Sequence, residues 1–438
     1  MDRFKEKMAG RALPAVIFTI FLDVLGVGIL IPIIPQLLAN PHSPYYLLPA
    51  GWTFKGGLIL LGWLLAIYPL MQFFSTPILG QLSDRFGRKK LLGFSIAGTA
   101  IGYVLFAIGI ITRNLPLLFF SRALDGITGG NLSVAQAVIA DVTPPEKRTK
   151  NFALIGAAFG MGFVLGPYIG AKMGSPNISV FGLFHTPHWF NPATPFWFTA
   201  ILSTINVLLI LLLLPETHQH MKNVKIKVTQ SFRNIATAAT YPGLRVIFPT
   251  IFLFWGGFMF FQTFFQVLLI QKLHFTQNNV GDYFAYIGLL IAFTQAVITP
   301  NVAKKVKPYN VLRVSLFGVG LGLFALLWAH NTSQLLMVTP LFAVFIGQTI
   351  ANSTALVSLS VGPEIQGEVL GINFSVQALA QAIPAAMSGY LAASIAISAP
   401  VLIGGITILA GGLLFWAIYH PSKHMMHHER EESARASH

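Results

Sequence analysis

Cysteine is absent from the 438-residue chain, which excludes disulfides and thiolate metal sites and leaves the redox compartment undefined. Charged residues are also scarce, at 10% of the chain against about 25% in soluble domains. Hydrophobic residues make up 54%, and the mean hydropathy is +0.69. So much apolar surface requires lipid as its solvent, and we therefore expect an all-α membrane protein.

Signatures of catalysis are missing as well. The sequence contains no H-E-x-x-H, P-loop or nucleophile-elbow motif, which argues against an enzyme and against transport driven by ATP within this chain. His424 and His428 have a spacing that binds metal in a helix, but a solvated tail is the better interpretation. We expect no cofactor and no metal site.

Long apolar segments recur along the whole chain. A membrane-spanning helix needs about 20 apolar residues. The first apolar segment is too long for a signal-peptide core and lacks a small-residue cleavage site, so we expect it to remain as a span. The twelve predicted spans cover residues 12–38, 56–79, 90–112, 116–141, 150–173, 196–214, 245–271, 280–302, 311–330, 334–360, 366–394 and 398–419.

Lysine and arginine are concentrated in alternate loops. With these spans, 23 of them fall on one side of the membrane and 4 on the other, and Arg122 lies within a span. A net charge of +14 can indicate nucleic-acid binding, but the alternation is an orientation signal instead. By the positive-inside rule both termini and the middle loop are cytoplasmic. We expect a multi-pass protein of the bacterial inner membrane that binds no nucleic acid.

The longest polar stretch divides the spans into two sets of six. We expect two related halves, a linker and a tail: an N-terminal half over 1–215, a cytoplasmic linker over 216–243, a C-terminal half over 244–420 and a cytoplasmic tail over 421–438.

A Gln-x3-Thr-Pro motif occurs near the end of spans 2 and 8. Its copies are Gln72-x3-Thr76-Pro77 and Gln295-x3-Thr299-Pro300. A basic loop follows each copy, which favours an internal repeat over coincidence in a biased composition. Two pseudo-symmetric halves imply a substrate site between them and alternating access by rocking.

Three charges lie deep in the predicted spans: Asp23, Arg122 and Asp125. A rise of about 1.5 Å per residue places Asp23 about 17 Å and Asp125 about 14 Å from the ends of their spans, near the middle of the bilayer. Intramembrane charges are costly, so we expect these three to serve proton coupling. The alternative for Arg122 and Asp125, at i and i+3, is a structural pair that fixes helix packing.

Polar side chains are scattered through the spans. Span 7 is rich in phenylalanine all round, which suggests lipid contact on one side, while its glutamines point inward because burying an amide in lipid is costly. We expect these groups to line a mixed polar and apolar cavity, with helix–helix hydrogen bonding as the alternative for each one. The candidate substrate-binding residues are Tyr68, Gln72, Asn131, Gln136, Phe258, Gln262, Gln266, Gln295, Asn352, Gln377 and Gln381.

The short loop between spans 2 and 3 combines charges with glycines. Asp84 can cap a neighbouring helix N-terminus while Arg85 pairs with a carboxylate. Such contacts form on one face and break when the halves rock, as in a conformational latch; the alternative is that the charges only set topology. The candidate latch residues are Gly80, Asp84, Arg85, Gly87 and Arg88, with Asp141 and Glu368 as partners.

Glycine recurs every four residues in span 5, at Gly162, Gly166 and Gly170, with Pro167 among them. The glycines let a neighbouring backbone approach closely, and the proline bends the helix. Ordinary small-residue packing is the alternative to a special role.

These motifs resemble those of the major facilitator superfamily, and the resemblance covers about residues 12–420. Residues 80–90 are similar to its loop 2–3 signature, and the span 5 glycines are similar to the antiporter signature. Within the superfamily the chain resembles the twelve-helix drug:proton antiporters, the tetracycline-efflux proteins most of all. That resemblance is carried by Leu22-Asp23-x2-Gly26-x-Gly28 with Pro32 and Pro35, Gly126-Ile127-Thr128-Gly129, Ala140-Asp141 and Pro215-Glu216-Thr217-His218.

The resemblance implies the major facilitator fold, with Asp23 in proton or substrate coupling, Arg122 in proton transfer, and Asp84 with Arg85 as the latch. Two positions depart from the family pattern. Asp125 stands where the family usually has a neutral residue, and the loop after span 8 lacks the acidic latch residue.

The sequence thus predicts a monomeric, proton-coupled antiporter that exports an amphipathic small molecule or drug, tetracycline-like or multidrug. Protons entering down their gradient would protonate Asp23, Asp125 or both, and so release the substrate. The alternative is a proton symporter or facilitator that imports a sugar or other small metabolite. A receptor or membrane enzyme would need a catalytic constellation or a large soluble domain, and the sequence has neither.

Overall fold

Helices make up almost all of the protein. The computed structural model describes residues 2–49, 51–143, 148–180, 184–217, 227, 229–238, 240, 244–361 and 366–421. Within these residues, nine helices are long and apolar enough by themselves to cross a membrane. Large apolar side chains such as Leu212 and Met337 are 78% and 81% exposed, as expected for a lipid-facing surface. The predicted class, an all-α membrane protein, is confirmed.

The first half contains six rods, the fourth of which is interrupted. We predicted one helix over 116–141, but a 3₁₀ turn at Gly129–Asn131 divides it. A Cβ at Gly130 would lie 2.6 Å from Ser75 Oγ, so glycine lets the second helix approach the break closely. The helices are α1 (Asp2–Leu38), α2 (Phe54–Phe86), α3 (Arg88–Ile111), α4 (Leu115–Thr128), α5 (Leu132–Val142), α6 (Arg148–Met173) and α7 (Thr194–Leu213).

The second half also contains six rods, of which the second is irregular. A π-helical segment at Thr294–Ile298 interrupts the predicted span over 280–302. Pro300 follows it, and the regular hydrogen-bond ladder cannot continue through a residue without a backbone N–H. Between the halves lies α8 (Gln230–Ala238). The later helices are α9 (Ile247–Leu273), α10 (Gln277–Phe293), α11 (Thr299–Ala303), α12 (Pro308–Trp328), α13 (Thr332–Leu359), α14 (Gln366–Ser394) and α15 (Ala399–Ile418).

Helix packing repeats from one half to the other. α1 packs on α6 as α9 packs on α14, and α3 packs on α4 and α7 as α12 packs on α13 and α15. Across the halves, α2 runs along α14 and α6 runs along α10. Each of these pairs maps onto its counterpart by a shift of six rods. The prediction of two six-helix pseudo-symmetric halves is therefore confirmed.

Two short elements were not expected from the sequence. α8 lies in the segment that we predicted as a plain linker, and it packs on both α2 and α14. In the loop between α6 and α7, the strands β1 (Ser179–Val180) and β2 (Phe184–His185) form an antiparallel hairpin. The hairpin lies on the side that the positive-inside rule makes exterior, and we call this the outer side.

The phenylalanines of α9 lie inside the bundle. We expected lipid contact on one side of this helix, but Phe258, Phe260, Phe261, Phe264 and Phe265 are all buried. α9 packs on α14 and α15, and also on α1 and α13, so it is surrounded on all sides. The expectation of a lipid-facing side is wrong for these residues, because this rod lies at the centre rather than at the rim.

Candidate functional site

Arg122 and Asp125 form an ion pair inside the first half. Arg122 Nη1 lies 2.5 Å from Asp125 Oδ2, and each residue is 4% exposed. The i, i+3 spacing on α4 places both side chains on one face, as the sequence suggested. Behind Asp125 the backbone of α3 comes close, since a Cβ at Gly102 would lie 3.3 Å from Asp125 Cβ. The pair is thus held between packed helices.

Tyr68 and Gln72 of α2 face this pair. The Tyr68 ring lies 4.5 Å from the Arg122 guanidinium carbon, which is a cation–π contact. Gln72 Nε2 donates to the backbone oxygen of Gly129 at 2.9 Å and lies 3.3 Å from the Tyr68 hydroxyl. Gln72 therefore satisfies a carbonyl at the break between α4 and α5 and fixes the position of Tyr68.

Asp23 of α1 lies beside Asn131 and within electrostatic reach of Asp125. Among the described residues, no group within hydrogen-bond geometry satisfies its buried Oδ2 or either polar atom of the Asn131 amide, although that amide lies near enough to stabilise the carboxylate. Arg122 Nε is a third buried group for which the described part of the chain offers no hydrogen-bond partner. Unpaired buried polar atoms are rare because each loses its hydrogen bonds to water. Their clustering here indicates a place that receives a proton, water or ligand.

Glycine lets a tyrosine of α3 reach α1 next to Asp23. The Tyr103 hydroxyl occupies the space that a Cβ at Gly26 would need, one turn from Asp23. Tyr103 was not among the residues singled out from the sequence. Its signal is the Asp23-x2-Gly26 spacing, which becomes meaningful only once α3 is known to face α1.

A small cavity lies where the two halves meet. Its volume is about 50 Å³, whereas pockets for drug-sized ligands have about 300–1,000 Å³. A drug-sized molecule therefore enters only after helices or side chains move. The residues that line it are Val27, Leu30, Ile31, Leu65, Tyr68, Pro69, Arg122, Met259, Gln262, Gln266 and Gln381.

Four candidate substrate residues line this cavity: Tyr68, Gln262, Gln266 and Gln381. Gln266 Oε1 is buried and has no hydrogen-bond donor among the described residues, so it can accept a bond from a ligand. The apolar lining, including Met259 and Ile31, was missed because apolar residues give no individual signal in such a hydrophobic chain. The other candidates are not part of the lining: Gln72, Asn131, Gln136, Phe258, Gln295, Asn352 and Gln377.

Arg88 holds the cytoplasmic network at the end of α2. Its Nη1 lies 2.7 Å from Asp84 Oδ1, and its Nε lies 3.3 Å from Asp141 Oδ2. The Thr217 hydroxyl donates to the same Asp141 oxygen at 3.1 Å. Thr217 is in the linker and the other three residues are in the first half, so the described part of this network does not reach the second half.

Glu216 caps the N-terminus of α3, a role that we had assigned to Asp84. Its carboxylate accepts from the backbone N–H of Arg88 at 2.8 Å and of Lys89 at 3.3 Å. Gly87 has φ +99, and a Cβ there would collide with this carboxylate, so both the turn and the cap require glycine. The assignment to Asp84 is wrong because Asp84 points to Arg88.

Three predicted latch residues have a different status. Arg85 is exposed, with its guanidinium carbon 5.2 Å from the Phe86 ring centre, and the pairing with Asp141 is made by Arg88 instead. The Glu368 side chain lies outside the described residues, so its pairing stays a prediction. A Cβ at Gly80 would meet Ser133 Oγ only at 3.7 Å, so packing does not demand glycine there.

The glycines of α6 face α1 within the first half. A Cβ at Gly166 would lie 2.7 Å from Gly28 Cα, and one at Gly170 would lie 2.6 Å from Ile29 O. A Cβ at Gly162 would lie 2.8 Å from Val24 Cβ. The repeat thus brings two backbones of the same half into contact.

Similar proteins are known for most of the chain. Residues 16–385 match the Major Facilitator Superfamily. The tetracycline resistance protein, class E, of Escherichia coli is 31% identical over 372 residues, which cover 82% of each chain. Major facilitator superfamily domain-containing protein 10 of Bos taurus is 28% identical over 420 residues, which cover 85% of each chain.

Solved structures share the fold at low sequence identity. The human organic anion transporter MFSD10 aligns with a TM-score of 0.67 at 22% identity, over 92% of this chain and 99% of the other. A D-xylose–proton symporter aligns with a TM-score of 0.71 at 16% identity, over 97% of this chain and 99% of the other. At these identities the likeness establishes the fold alone.

Proposed function

The chain belongs to the Major Facilitator Superfamily, and we propose that it is a proton-coupled antiporter exporting an amphipathic small molecule, tetracycline-like or multidrug. Like its relatives, it is a membrane transporter and not an enzyme. In this proposal it works as a monomer in the bacterial inner membrane, with both termini in the cytoplasm. The two units that move in alternating access are the N-terminal half over 1–215 and the C-terminal half over 244–420. The linker over 216–243 joins them.

The observation that carries the proposal is the uncompensated carboxylate of Asp23. With both acids ionised, Asp23, Asp125 and Arg122 together carry a net charge of −1. Arg122 pairs with Asp125, so the negative charge of Asp23 is left without a counter-charge. A buried net charge is costly in a membrane, so this cluster binds one positive charge. A proton and a cationic group of the substrate compete for it, and this mutual exclusion is the basis of antiport.

The other residues follow from their positions. Arg122 pairs with Asp125 and lies against the Tyr68 ring at the cavity wall. Gln262 and Gln266 of α9 and Gln381 of α14 present amides from the second half, while the apolar walls suit an amphipathic molecule. Because both halves contribute walls, relative movement of the halves changes the site and releases the substrate.

The similarity to tetracycline resistance proteins supports export of a drug-like molecule. A proton symporter or facilitator that imports a sugar or other metabolite is the alternative, and its fold is the same. The direction of proton movement relative to substrate movement separates the two. In an antiporter the substrate and the proton exclude each other, whereas in a symporter they bind together.

Asp23→Asn tests the proposal. In an efflux-deficient bacterial host at matched membrane expression, we expect resistance to tetracyclines, other amphipathic drugs or dyes to be lost in this variant. In proteoliposomes, wild type should release protons when substrate is added, and Asp23→Asn should not, while still exchanging substrate for substrate. Glu431→Gln, in the predicted tail, is the matched acid-to-amide control.

Normal export by Asp23→Asn would overturn the role of this carboxylate. Proton uptake together with substrate in the wild-type protein would overturn antiport and establish the symport alternative. Loss of substrate exchange as well as coupling, with the protein still monodisperse, would place Asp23 in substrate binding alone.

A further inference from the structure

The two halves are joined directly at their outer ends. The described hydrogen bonds and ion pairs that join α2 to α14, and α6 to α10, all lie there. Trp63 Nε1 donates to the Tyr390 hydroxyl at 3.0 Å, and Gln277 Nε2 donates to the backbone oxygen of Gly170 at 3.5 Å. At the cytoplasmic end, the described part of the Arg88 network reaches the linker at Thr217 but not the second half. The described state is therefore closed on the outer side.

Lys172 makes the strongest of these contacts. It lies at the outer end of α6, and its Nζ lies 2.5 Å from Asn278 Oδ1 and 3.1 Å from Asp282 Oδ1 on α10. The same Nζ lies 5.3 Å from the Tyr168 ring centre. The Lys172 side chain is 10% exposed and that of Asp282 is 45% exposed. A cation buried to this degree needs its partners, because removing it from water is costly.

The backbone around this pair is shaped for close approach. A Cβ at Gly281 would collide with Ala171 and would lie 2.8 Å from Pro167 O, so α10 touches α6 only because glycine stands there. Asn278 Nδ2 lies 3.3 Å from Asp282 Oδ2, so Asn278 orients the carboxylate and also accepts from Lys172. The three side chains form one unit across the boundary between halves.

We propose that Lys172, Asn278 and Asp282 form the outer gate of the transport cycle. The Lys172–Asp282 ion pair holds the outer side closed and must break before the central cavity opens to the exterior. The gate serves either direction of transport, so it goes beyond the proposed antiport and does not depend on it. The sequence had suggested only that Lys172 is one of the few outer-side cations.

A charge pair suits a gate because it has two discrete states. In the closed gate the ammonium and the carboxylate are paired and largely shielded from water. In the open gate each of them is hydrated separately. Losing one charge-assisted contact of ordinary strength shifts such an equilibrium by about tenfold. Losing Asp282 should shift it more than losing Lys172, because the partner left behind is a buried cation in the first case and a half-exposed carboxylate in the second.

The absence of cysteine provides a clean measurement. Ile31→Cys places a thiol in the outer part of α1 at the central cavity, where Ile31 is 4% exposed. Intact cells are treated with a membrane-impermeant maleimide, and the initial labelling rate reports opening to the exterior. No substrate is needed, so failure of the antiport proposal leaves this test unaffected.

The variants are Lys172→Gln, Asp282→Asn and the charge exchange Lys172→Asp with Asp282→Lys. Lys272→Gln is the matched control: Lys272 also lies at an outer helix end, but its Nζ donates at 2.6 Å to Leu327 O within the second half. We expect labelling to rise about tenfold in Lys172→Gln and further in Asp282→Asn, to return towards wild type in the exchange, and to stay unchanged in the control.

Labelling of both single variants within twofold of Lys272→Gln would overturn the gate. Raised labelling that the charge exchange does not reduce would also overturn it, because that result indicates altered packing rather than a lost ion pair. Gel filtration of each variant excludes misfolding as the cause of faster labelling, and Asn278→Ala should raise labelling less than Asp282→Asn does.

Discussion

The contact between α1 and α6 allows a quantitative prediction. In Gly166→Ala the new methyl group would lie 2.7 Å from Gly28 Cα and 2.8 Å from Leu25 O. Both are backbone atoms, which cannot turn aside as a side chain can, so two helix axes must separate. In Gly160→Ala, on the same helix, the nearest atom would be Ala292 Cβ at an ordinary 3.7 Å.

The two substitutions should therefore differ in sign. Overpacking a well-packed contact costs about 1–3 kcal/mol, while alanine gains up to about 1 kcal/mol over glycine in a helix. We expect Gly166→Ala to lose about 1–2 kcal/mol net and Gly160→Ala to be neutral or slightly stabilising. At a few degrees per kcal/mol for large domains, the apparent melting midpoints should differ by about 3–5 °C.

The assay is gel filtration of detergent-solubilised protein after brief heating at graded temperatures. Thiol-reactive dyes cannot report unfolding here because the chain has no cysteine. Gly28→Ala should behave like Gly166→Ala, since its methyl group would lie 2.9 Å from Gly166 Cα. Equal midpoints for Gly166→Ala and Gly160→Ala would refute the close approach of α1 and α6.

Two further predictions concern the cytoplasmic side. Glu216→Gln removes the charge that caps the first N–H groups of α3. It should lower the free energy of unfolding by about 1 kcal/mol, measured as a lower melting midpoint. Gly80→Ala, where a new methyl group meets no atom closer than 3.7 Å, is the control and should change the midpoint little. Ser231→Ala removes the hydroxyl that donates at 2.7 Å to Phe73 O, whose usual helical donor is missing because Pro77 has no N–H. We expect a loss of about 1–3 kcal/mol, and a smaller one when Pro77→Ala is also present; additive losses would contradict this reasoning.

The sequence predicts the spans well because hydropathy is a local property. Their interruptions are harder to predict, although each has a local signal: Gly129 and Gly130 at the 3₁₀ turn, and Pro300 after the π-helical segment. The helix in the linker was missed because its support is tertiary. The Ser231 hydroxyl bonds to α2, and Asn234 Nδ2 donates to Ser375 Oγ of α14 at 3.2 Å.

The candidate site divides in the same way. Arg122 and Asp125 are neighbours on one helix turn, so their pairing follows from spacing. Asp23 and Asn131 are on different rods, and their proximity follows only from how those rods pack. Lys172 and Asp282 are farther apart still, and the sequence presents each as an isolated charge at the outer end of a predicted span.

The outer gate and the central cluster together constrain the order of transport steps. In the described state Lys172 and Asp282 join the outer ends of the two halves. Under the proposed antiport, substrate loading and proton release therefore take place from the cytoplasmic side. In that proposal Asp23 gives up its proton as the substrate's positive charge arrives, which keeps the buried cluster neutral during the transition. The ion pair at the gate must then break for the loaded carrier to open outward. Weakening the gate should therefore speed opening in the unloaded protein and let protons leak inward without substrate, a loss of coupling rather than a loss of binding.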